Sequence, residues 1–294
     1  MSDSLQSNKE ITTVLKNISE LSSRQMLTVD EKRMFCDLLG DISLRSSTGS
    51  EELRETLTTC AKHILKNGGN DEDIVDFFCT AIKKSNLSLN DMMKDILSYD
   101  DFSSTDSAKI VYVKNNYSDS AYVRFSKVFK NPKVAYRSSF EEICEDVYNA
   151  VGDYCILPIE NSNGGKLFSF YSLIDKYELK IFAVCDIYEA ISEHSTRYAL
   201  LSRKNIAHSE TKNSSYFEFS IISDSGYEPS DILLAAKKCS LRLFRIDTTR
   251  VPYDDSKFEF YHVFEAHGNS AIPFIMYLDF KYPQHKNIGY YISL

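Results

Sequence analysis

Residues 153–165, D-Y-C-I-L-P-I-E-N-S-N-G-G, combine a short apolar run with polar residues that could bind a ligand. Pro158 cannot donate to a sheet ladder, so we expect a strand to end there. Asn161 and Ser162 offer short polar side chains, and Gly165 precedes a predicted helix whose free backbone amides suit a carboxylate. A polar surface turn accounts for the same residues, so the pattern alone leaves both interpretations open.

A second candidate is Thr196 followed by Arg197, directly before the apolar run 198–201. An arginine can pair bidentately with a carboxylate, and the neighbouring hydroxyl can act on the same ligand. An arginine at the start of a strand is also commonly a solvated charge. Taken by itself, this pair is compatible with a site and with a plain surface.

The elements around these residues alternate between strand and helix, which predicts an α/β fold with a largely parallel sheet. Ligands of such sheets bind beyond the carboxyl ends of the strands, where residues 161–165 are expected to lie. The predicted strands are 110–113, 134–136, 154–157, 180–185 and 198–201, and the predicted helices are 121–129, 140–151 and 167–177.

The two ends of the chain differ from this central region in their predicted secondary structure. Apolar residues at helical spacing predict that residues 1–100 are helical, with helices at 11–21, 34–42, 53–65, 71–82 and 90–97. The helix at 71–82 is predicted to have one apolar face, which includes Ile74, Val75 and Phe78. The polar segment 100–107 is a predicted linker. Residues 214–294 follow the order βαββαβ, an α+β arrangement of the ferredoxin-like type. The sequence therefore predicts three domains, at 1–100, 108–206 and 214–294.

Composition limits the classes of function. The 294 residues hold 34 Lys and Arg against 42 Asp and Glu, a net charge of −8, which argues against nucleic-acid and anionic-membrane binding. The seven cysteines include no Cys-x-x-Cys pair, so neither a disulfide framework nor a metal site is predicted. No signal peptide or apolar run long enough to span a membrane is evident, which predicts a soluble cytoplasmic protein.

Several motifs together resemble the prephenate dehydratase family. They are residues 139–147, the block P-I-E-N-S at 158–162 before Gly165, and Thr196-Arg197-Tyr198, where the family has Thr-Arg-Phe. The resemblance runs from about residue 108 to the end. Residues 108–206 resemble a truncated, periplasmic-binding-protein-like dehydratase lobe, and residues 214–294 resemble the ACT domain that follows it. Residues 1–100 occupy the place of a chorismate mutase domain, with a weak match.

The resemblance implies conversion of prephenate to phenylpyruvate, water and carbon dioxide in L-phenylalanine biosynthesis, without a cofactor. Thr196 would be the proton donor and Arg197 an anchor for a substrate carboxylate. It also implies a homo-oligomer formed through the ACT domain and an effector such as L-phenylalanine. The implied substrate contacts are Asn161, Ser162, Gly165 and Ser118, and the implied effector contacts are Ser230, Asp231, Ile232, Asp247 and Thr248.

Three departures from the family pattern support an alternative. The family's glycine-rich first loop is replaced by residues 113–118, and the ten residues 186–195 are too few for a second lobe. Asp231 lies where the family has a Gly-Ala-Leu motif, and its charge would repel an effector carboxylate. The alternative hypothesis is a catalytically inactive relative that senses a ligand or regulates a partner.

Overall fold

The computed structural model describes residues 50–66, 68–84, 93–94, 97, 99–101, 108–188, 194–207, 215–223, 227–252, 254–267 and 270–294. The helices predicted at 11–21 and 34–42 lie outside these residues, as does most of the one predicted at 90–97. The chain forms two compact units. We call residues 1–98, 226–242 and 266–284 the helical unit, and residues 99–225, 243–265 and 285–294 the sheet unit.

Helices and strands alternate along much of the described chain. The helices, in chain order, are α1 (Ser50–Lys66), α2 (Asp71–Lys84), α3 (Asn116–Phe125), α4 (Phe140–Tyr148), α5 (Phe168–Lys176), α6 (Pro229–Lys238) and α7 (Ala271–Lys281). The strands are β1 (Asp100–Asp101), β2 (Lys109–Val113), β3 (Lys133–Arg137), β4 (Tyr154–Asn161), β5 (Gly165–Lys166), β6 (Lys180–Tyr188), β7 (Ser195–Ser202), β8 (Ile206–Ala207), β9 (Ser215–Ile222), β10 (Arg242–Val251), β11 (Asp254–Ala266) and β12 (Lys286–Ser293).

The helical unit is built on α2, which packs against α1, α6 and α7. The apolar face predicted for α2 is buried, including Ile74, Val75 and Phe78. Asn70 and Asp73 begin this helix with a reciprocal pair of hydrogen bonds between each side chain and the other's backbone N–H. The apolar spacing in the sequence, the capping hydrogen bonds and the buried face therefore all support a helix at α2.

The sheet unit contains one large sheet with the strand order β10-β11-β9-β12-β6-β7-β4-β2-β3, and β5 pairs with β4 beside this path. Helices cover both faces. Buried residues of α4 and α5 join one apolar core, and those of α3 join the other. The run at the start of β4 divides between the cores, with Cys155 and Leu157 in the first and Tyr154 and Ile156 in the second. The apolar run at the start of β4 is therefore buried on both faces.

The sheet is mixed, so the prediction of a largely parallel sheet for the central α/β region holds for β2, β3 and β4 and is wrong for β7. β2 is parallel to β3 and β4, whereas β7 is antiparallel to both β4 and β6. The reason is the short connection between β6 and β7, since only antiparallel neighbours can be joined without a long crossover. Both strands are longer than predicted, and their connection is confined to residues 189–194.

The C-terminal elements follow the predicted βαββαβ order, from β9 to β12. Their strands continue the main sheet through a parallel pairing of β12 with β6. Gly289 allows this pairing because a Cβ atom there would lie 2.5 Å from the carbonyl oxygen of Ile181. A side chain at position 289 would hold the two strands apart. Among the described residues, no helix is both long and apolar enough to cross a membrane.

Candidate functional site

β4 carries the P-I-E-N-S block, and it does not end at Pro158 as predicted. The strand continues to Asn161, and its pairing with β7 shifts register between Pro158 and Glu160. Such an irregularity accommodates a residue that has no N–H to donate. The extension places Glu160 and Asn161 in the sheet, where they pair with defined neighbours on β7.

The segment after β4 turns back to form β5, and α5 begins two residues later at Phe168. Gly165 adopts a positive φ of 71° and pairs with Asn161, so it belongs to β5 and not to the first turn of α5. Asn161 Oδ1 accepts a hydrogen bond from the backbone N–H of Asn163 at 2.8 Å. Ser162 Oγ accepts one from the backbone N–H of Ser195 at 3.0 Å. Gly165 therefore precedes α5, as predicted, but lies in β5, and its contact with a substrate carboxylate stays a prediction.

Thr196 and Arg197 lie on β7 between β4 and β6. Thr196 is opposite Asn161, and Arg197 is opposite Glu160 on one side and Asp186 on the other. The structure thus brings Asn161, Thr196 and Arg197 into one region of the sheet, as the sequence suggested. The acidic neighbours on either side of Arg197 were not predicted.

Arg197 is held by carboxylates of the protein itself. Its Nε and Nη2 atoms donate to the two oxygens of Asp186 at 2.9 and 3.1 Å, and Nη1 lies 3.7 Å from Glu160 Oε2. Burial disfavours the charged guanidinium, yet the ion pairs with Asp186 and Glu160 outweigh it and raise the pKa of Arg197. The guanidinium is therefore fixed in its charged form by partners that a substrate carboxylate would have to displace.

A second arginine extends this group. Arg245 of β10 donates to Glu160 through Nη1 and to Asp247 through Nε. We call Glu160, Asp186, Arg197, Arg245 and Asp247 the arginine cluster. Its three carboxylates and two guanidinium groups sum to a formal charge of −1. Asp247, expected to contact an effector, is paired with Arg245.

A buried ion pair joins β5 to β9. Lys166 Nζ pairs with Glu218 Oε1 and donates to the hydroxyl of Tyr171 at 2.7 Å, and the side chains of Lys166 and Glu218 are 3% and 1% exposed. Tyr291 donates to the other Glu218 oxygen at 2.9 Å. Burial, together with the Glu218 charge, raises the pKa of Tyr171 and Tyr291. This pair, which we call the lysine pair, was missed in the sequence because Lys166 looks like an ordinary surface residue after a glycine turn.

Ser118 lies in the first turn of α3 and is fully buried. Its hydroxyl accepts from Asn115 Nδ2 at 3.0 Å, and it is hydrogen-bonded to the Tyr198 side chain. Burial raises the pKa of Tyr198, with the Ser118 hydrogen bond opposing it. The predicted substrate contact of Ser118 stays a prediction, and its hydrogen bond to Tyr198 joins α3 to β7.

The predicted effector residues lie in both units. Ser230 is exposed and Ile232 is buried in the first turn of α6, in the helical unit. Asp247 and the exposed Thr248 lie on β10, in the sheet unit. Asp231 is half-buried and lines a cavity of about 350 Å³ within the helical unit.

Positively charged, negatively charged and apolar side chains all line the cavity. Its lining residues are Asn70, Asp71, Glu72, Val75, Asp231, Leu234, Ala235, Lys238 and Tyr277. Lys238 Nζ lies 3.4 Å from Glu72 and 2.8 Å from Asp76, and Asp71 pairs with Lys281 at 2.9 Å. Within the described residues, no group of three or more His, Cys, Asp and Glu side chains is arranged to hold a metal ion.

Comparisons with solved structures find three similar chains among others. The prephenate dehydratase from Streptococcus mutans is 17% identical with a TM-score of 0.49, and the similarity covers 63% of this chain and 98% of that one. GqqA, described as a novel type of quorum-quenching acylase, is 16% identical with a TM-score of 0.48 over 63% and 95% of the two chains. The prephenate dehydratase from Arthrobacter aurescens in complex with L-Phe is 12% identical with a TM-score of 0.49, over 63% and 90%.

No protein-family model matches the sequence, and a search of curated proteins finds no significant match. Related folds host unrelated functions, and similarity at this level carries no information about substrate or activity. A functional conclusion therefore has to rest on the side chains and the cavity of the chain itself.

Proposed function

We propose that this protein is a non-catalytic, ligand-sensing protein that binds an amino acid with an apolar side chain in the cavity of its helical unit. The observation that carries the proposal is the cavity itself, which combines carboxylates, an ammonium group and an apolar surface around Asp231. The arginine cluster supports the non-catalytic part of the proposal, because Arg197, the carboxylate anchor that the resemblance implies, is already paired with Asp186.

The cavity is complementary to a zwitterion with an apolar side chain. Asp231 and Asp71 can receive an ammonium group, Lys238 can receive a carboxylate, and Leu234 and Tyr277 offer apolar surface. A volume of about 350 Å³ falls at the lower end of the range for small-molecule sites, roughly 300–1,000 Å³. L-phenylalanine fits this description and is the first ligand to test.

The ion pairs of Lys238 can be exchanged for contacts with a ligand. Glu72 and Asp76, the partners of Lys238, each have side chains that are 61% exposed. Exposed ion pairs contribute roughly 0–1 kcal/mol, so a ligand carboxylate can replace one of them with little loss. The charge of Asp231, which argued against a carboxylate in the sequence, suits the ammonium end of a ligand in this cavity.

The arginine cluster disfavours a dianionic substrate. Arg197 would have to release a bidentate, partly buried carboxylate partner before it could hold a substrate carboxylate. The remaining cluster would then present uncompensated negative charge to a substrate with two carboxylates of its own. Binding prephenate at the arginine cluster would therefore replace an existing ion pair and add repulsion between the carboxylates of the cluster and those of the substrate.

Prephenate dehydratase activity is the second candidate, and one observation favours it. Thr196 and Asn161 are directly opposite each other in the sheet, and Arg197 is the next residue. The Thr196 hydroxyl and the Asn161 amide share one face of the sheet and could contact one ligand, whereas the side chain of Arg197 points to the opposite face. The two candidates make opposite predictions for catalysis.

A turnover assay separates them. Phenylpyruvate formation from prephenate is followed with the wild-type protein and with the variants Thr196→Ala and Thr196→Ser. We expect no turnover above background in any of the three. Turnover by the wild type and Thr196→Ser that is lost in Thr196→Ala would overturn the non-catalytic assignment and support the dehydratase.

Isothermal titration with L-phenylalanine tests the sensing function. We expect binding by the wild type, and loss of binding in Asp231→Asn and Lys238→Met. Lys237→Met is the matched control, because the exposed Lys237 is the preceding residue on α6 and does not line the cavity. Absence of binding by the wild type, or equal weakening by Lys237→Met and Lys238→Met, would contradict the proposed site.

A further inference from the structure

The helical unit contains two cysteines in direct contact. Cys79 lies on α2 and Cys239 follows the last turn of α6, and their sulfur atoms are 3.7 Å apart although they are 160 positions apart in the chain. A disulfide has an S–S distance of about 2.05 Å, so the two sulfurs must approach each other by less than about 2 Å. Rotation of the two side chains about χ1, with a small shift of the helices, can supply that movement.

The groups around Cys79 and Cys239 shift the pKa values of the two thiols in opposite directions. Cys79 and Cys239 share a hydrogen bond in which either sulfur can be the donor. This hydrogen bond lowers the pKa of Cys79, with the nearby ammonium groups of Lys83 and Lys238 adding to the effect. Burial and the Asp76 carboxylate act in the opposite direction. The same hydrogen bond and burial raise the pKa of Cys239. Cys79 is therefore the more acidic thiol of the pair.

Access distinguishes this pair from the other described cysteines. Cys79 is partly exposed, whereas Cys60, Cys144, Cys155 and Cys185 are buried. Cys144 and Cys155 also form a hydrogen-bonded pair, but both are 0% exposed and burial raises the pKa of Cys155 well above its ordinary value. Oxidation requires a thiolate that an oxidant can reach, so these two pairs should behave differently.

We propose that Cys79 and Cys239 are a redox modification site that forms a reversible disulfide between α2 and α6. The oxidant class is a peroxide. The Cys79 thiolate attacks one peroxide oxygen, the O–O bond breaks, and Cys79 becomes a sulfenic acid while hydroxide leaves. Cys239 then attacks the Cys79 sulfur, the S–O bond breaks and water leaves as the disulfide forms. In total two thiols and one hydrogen peroxide give one disulfide and two waters, and an external dithiol reverses the change.

The test uses the full chain, reduced and then treated with hydrogen peroxide. We expect two of the seven cysteines to lose reactivity toward an alkylating reagent, and a dithiol to restore them. Peptide mapping under non-reducing conditions should identify a Cys79–Cys239 cross-link, and the oxidised chain should migrate faster on a non-reducing gel. The faster migration follows from the long loop that the cross-link closes.

Three variants complete the design. Cys79→Ser and Cys239→Ser should each abolish the cross-link, whereas Cys144→Ser should leave it unchanged. Alkylation of the untreated wild type should modify Cys79 before Cys155, a readout that does not depend on the folding of any variant. Formation of a Cys144–Cys155 cross-link in place of the proposed one, a cross-link to another cysteine, or slow alkylation of Cys79 would overturn the inference.

Discussion

The sheet unit and the helical unit hold their charged side chains in opposite ways. In the sheet unit the lysine pair is 3% and 1% exposed, and the carboxylates of the arginine cluster already occupy its guanidinium groups. In the helical unit the charged groups surround an open cavity, and the carboxylate partners of Lys238 are 61% exposed. The same residue types therefore form buried ion pairs in one unit and ion pairs with exposed carboxylates beside a cavity in the other.

This difference shows why a motif can identify a region without identifying its function. Arg197 was singled out because arginine binds carboxylates, and it does bind one, but the carboxylate belongs to Asp186. Asp231 was an argument against ligand binding, yet it lines the cavity with the mixed charges a zwitterion requires. In both cases the neighbours decide what the side chain does.

The largest expected effect comes from breaking the lysine pair. Lys166→Met leaves Glu218 charged, buried and without its ammonium partner, which should lower the free energy of unfolding by about 3–5 kcal/mol. Urea denaturation followed by circular dichroism measures this loss. The double variant Lys166→Met/Glu218→Leu should recover most of it, since an apolar pair replaces two buried charges.

The matched control is Lys176→Met, which removes an ammonium group from the exposed ion pair with Glu141. That pair should contribute less than about 1 kcal/mol to stability. Equal losses in Lys166→Met and Lys176→Met would show that burial does not distinguish the ion pairs, and the contrast between the two units would no longer hold.

The second-largest expected effect is a loss of stability at acidic pH, caused by a buried histidine of the sheet unit. His262 of β11 is 0% exposed and stacks on Phe219 with ring centroids 4.9 Å apart, and burial lowers its pKa to about 4. The unfolded chain, with a histidine pKa of about 6.5, binds the proton more readily. The contribution of His262 to the free energy of unfolding is therefore fully present above pH 6.5. It declines as the pH falls towards 4, by up to about 3 kcal/mol.

Urea midpoints at pH 7 and pH 4.5 measure this dependence, with His262→Phe as the comparison. Phenylalanine keeps an aromatic ring in the stack but cannot be protonated, so its midpoint should fall less between the two pH values. An identical decrease in the wild type and in His262→Phe would assign the acid sensitivity to other groups.

The smallest expected loss of stability comes from removing the N-terminal cap of α2, beside the cavity of the helical unit. Asn70→Ala removes the side-chain acceptor for the backbone N–H of Asp73 and should cost about 1 kcal/mol. Asn70→Ser keeps an acceptor and should cost less. Thermal denaturation of both variants provides the measurement. A loss of several kcal/mol in both would indicate that Asn70 has a role in packing beyond its cap.

Much of the architecture could be predicted because it depends on local pattern. The apolar spacing of α2 places Ile74, Val75 and Phe78 on its buried face, as expected. The alternation of strands and helices and the C-terminal βαββαβ order were also predicted correctly. These features follow from side-chain periodicity and turn residues, which act over a few positions.

The extent of β4 could not be predicted in the same way. Pro158 is unfavourable in a strand, but pairing with β7 extends β4 past it because the register shift absorbs the missing donor. Gly165 illustrates the same point, since its pairing with Asn161 assigns it to a strand that the local sequence does not suggest. Contacts distant in sequence override local preference at both positions.

Local patterns in the chain were enough to specify the periodicity of the helices and the order of elements. Tertiary contacts were needed to pair Arg197 with Asp186, to bury Lys166 with Glu218 and to bring Cys79 against Cys239. Charge, burial and thiol reactivity depend on atoms a few ångströms away. Those atoms belong to residues up to 160 positions distant, which no local pattern specifies.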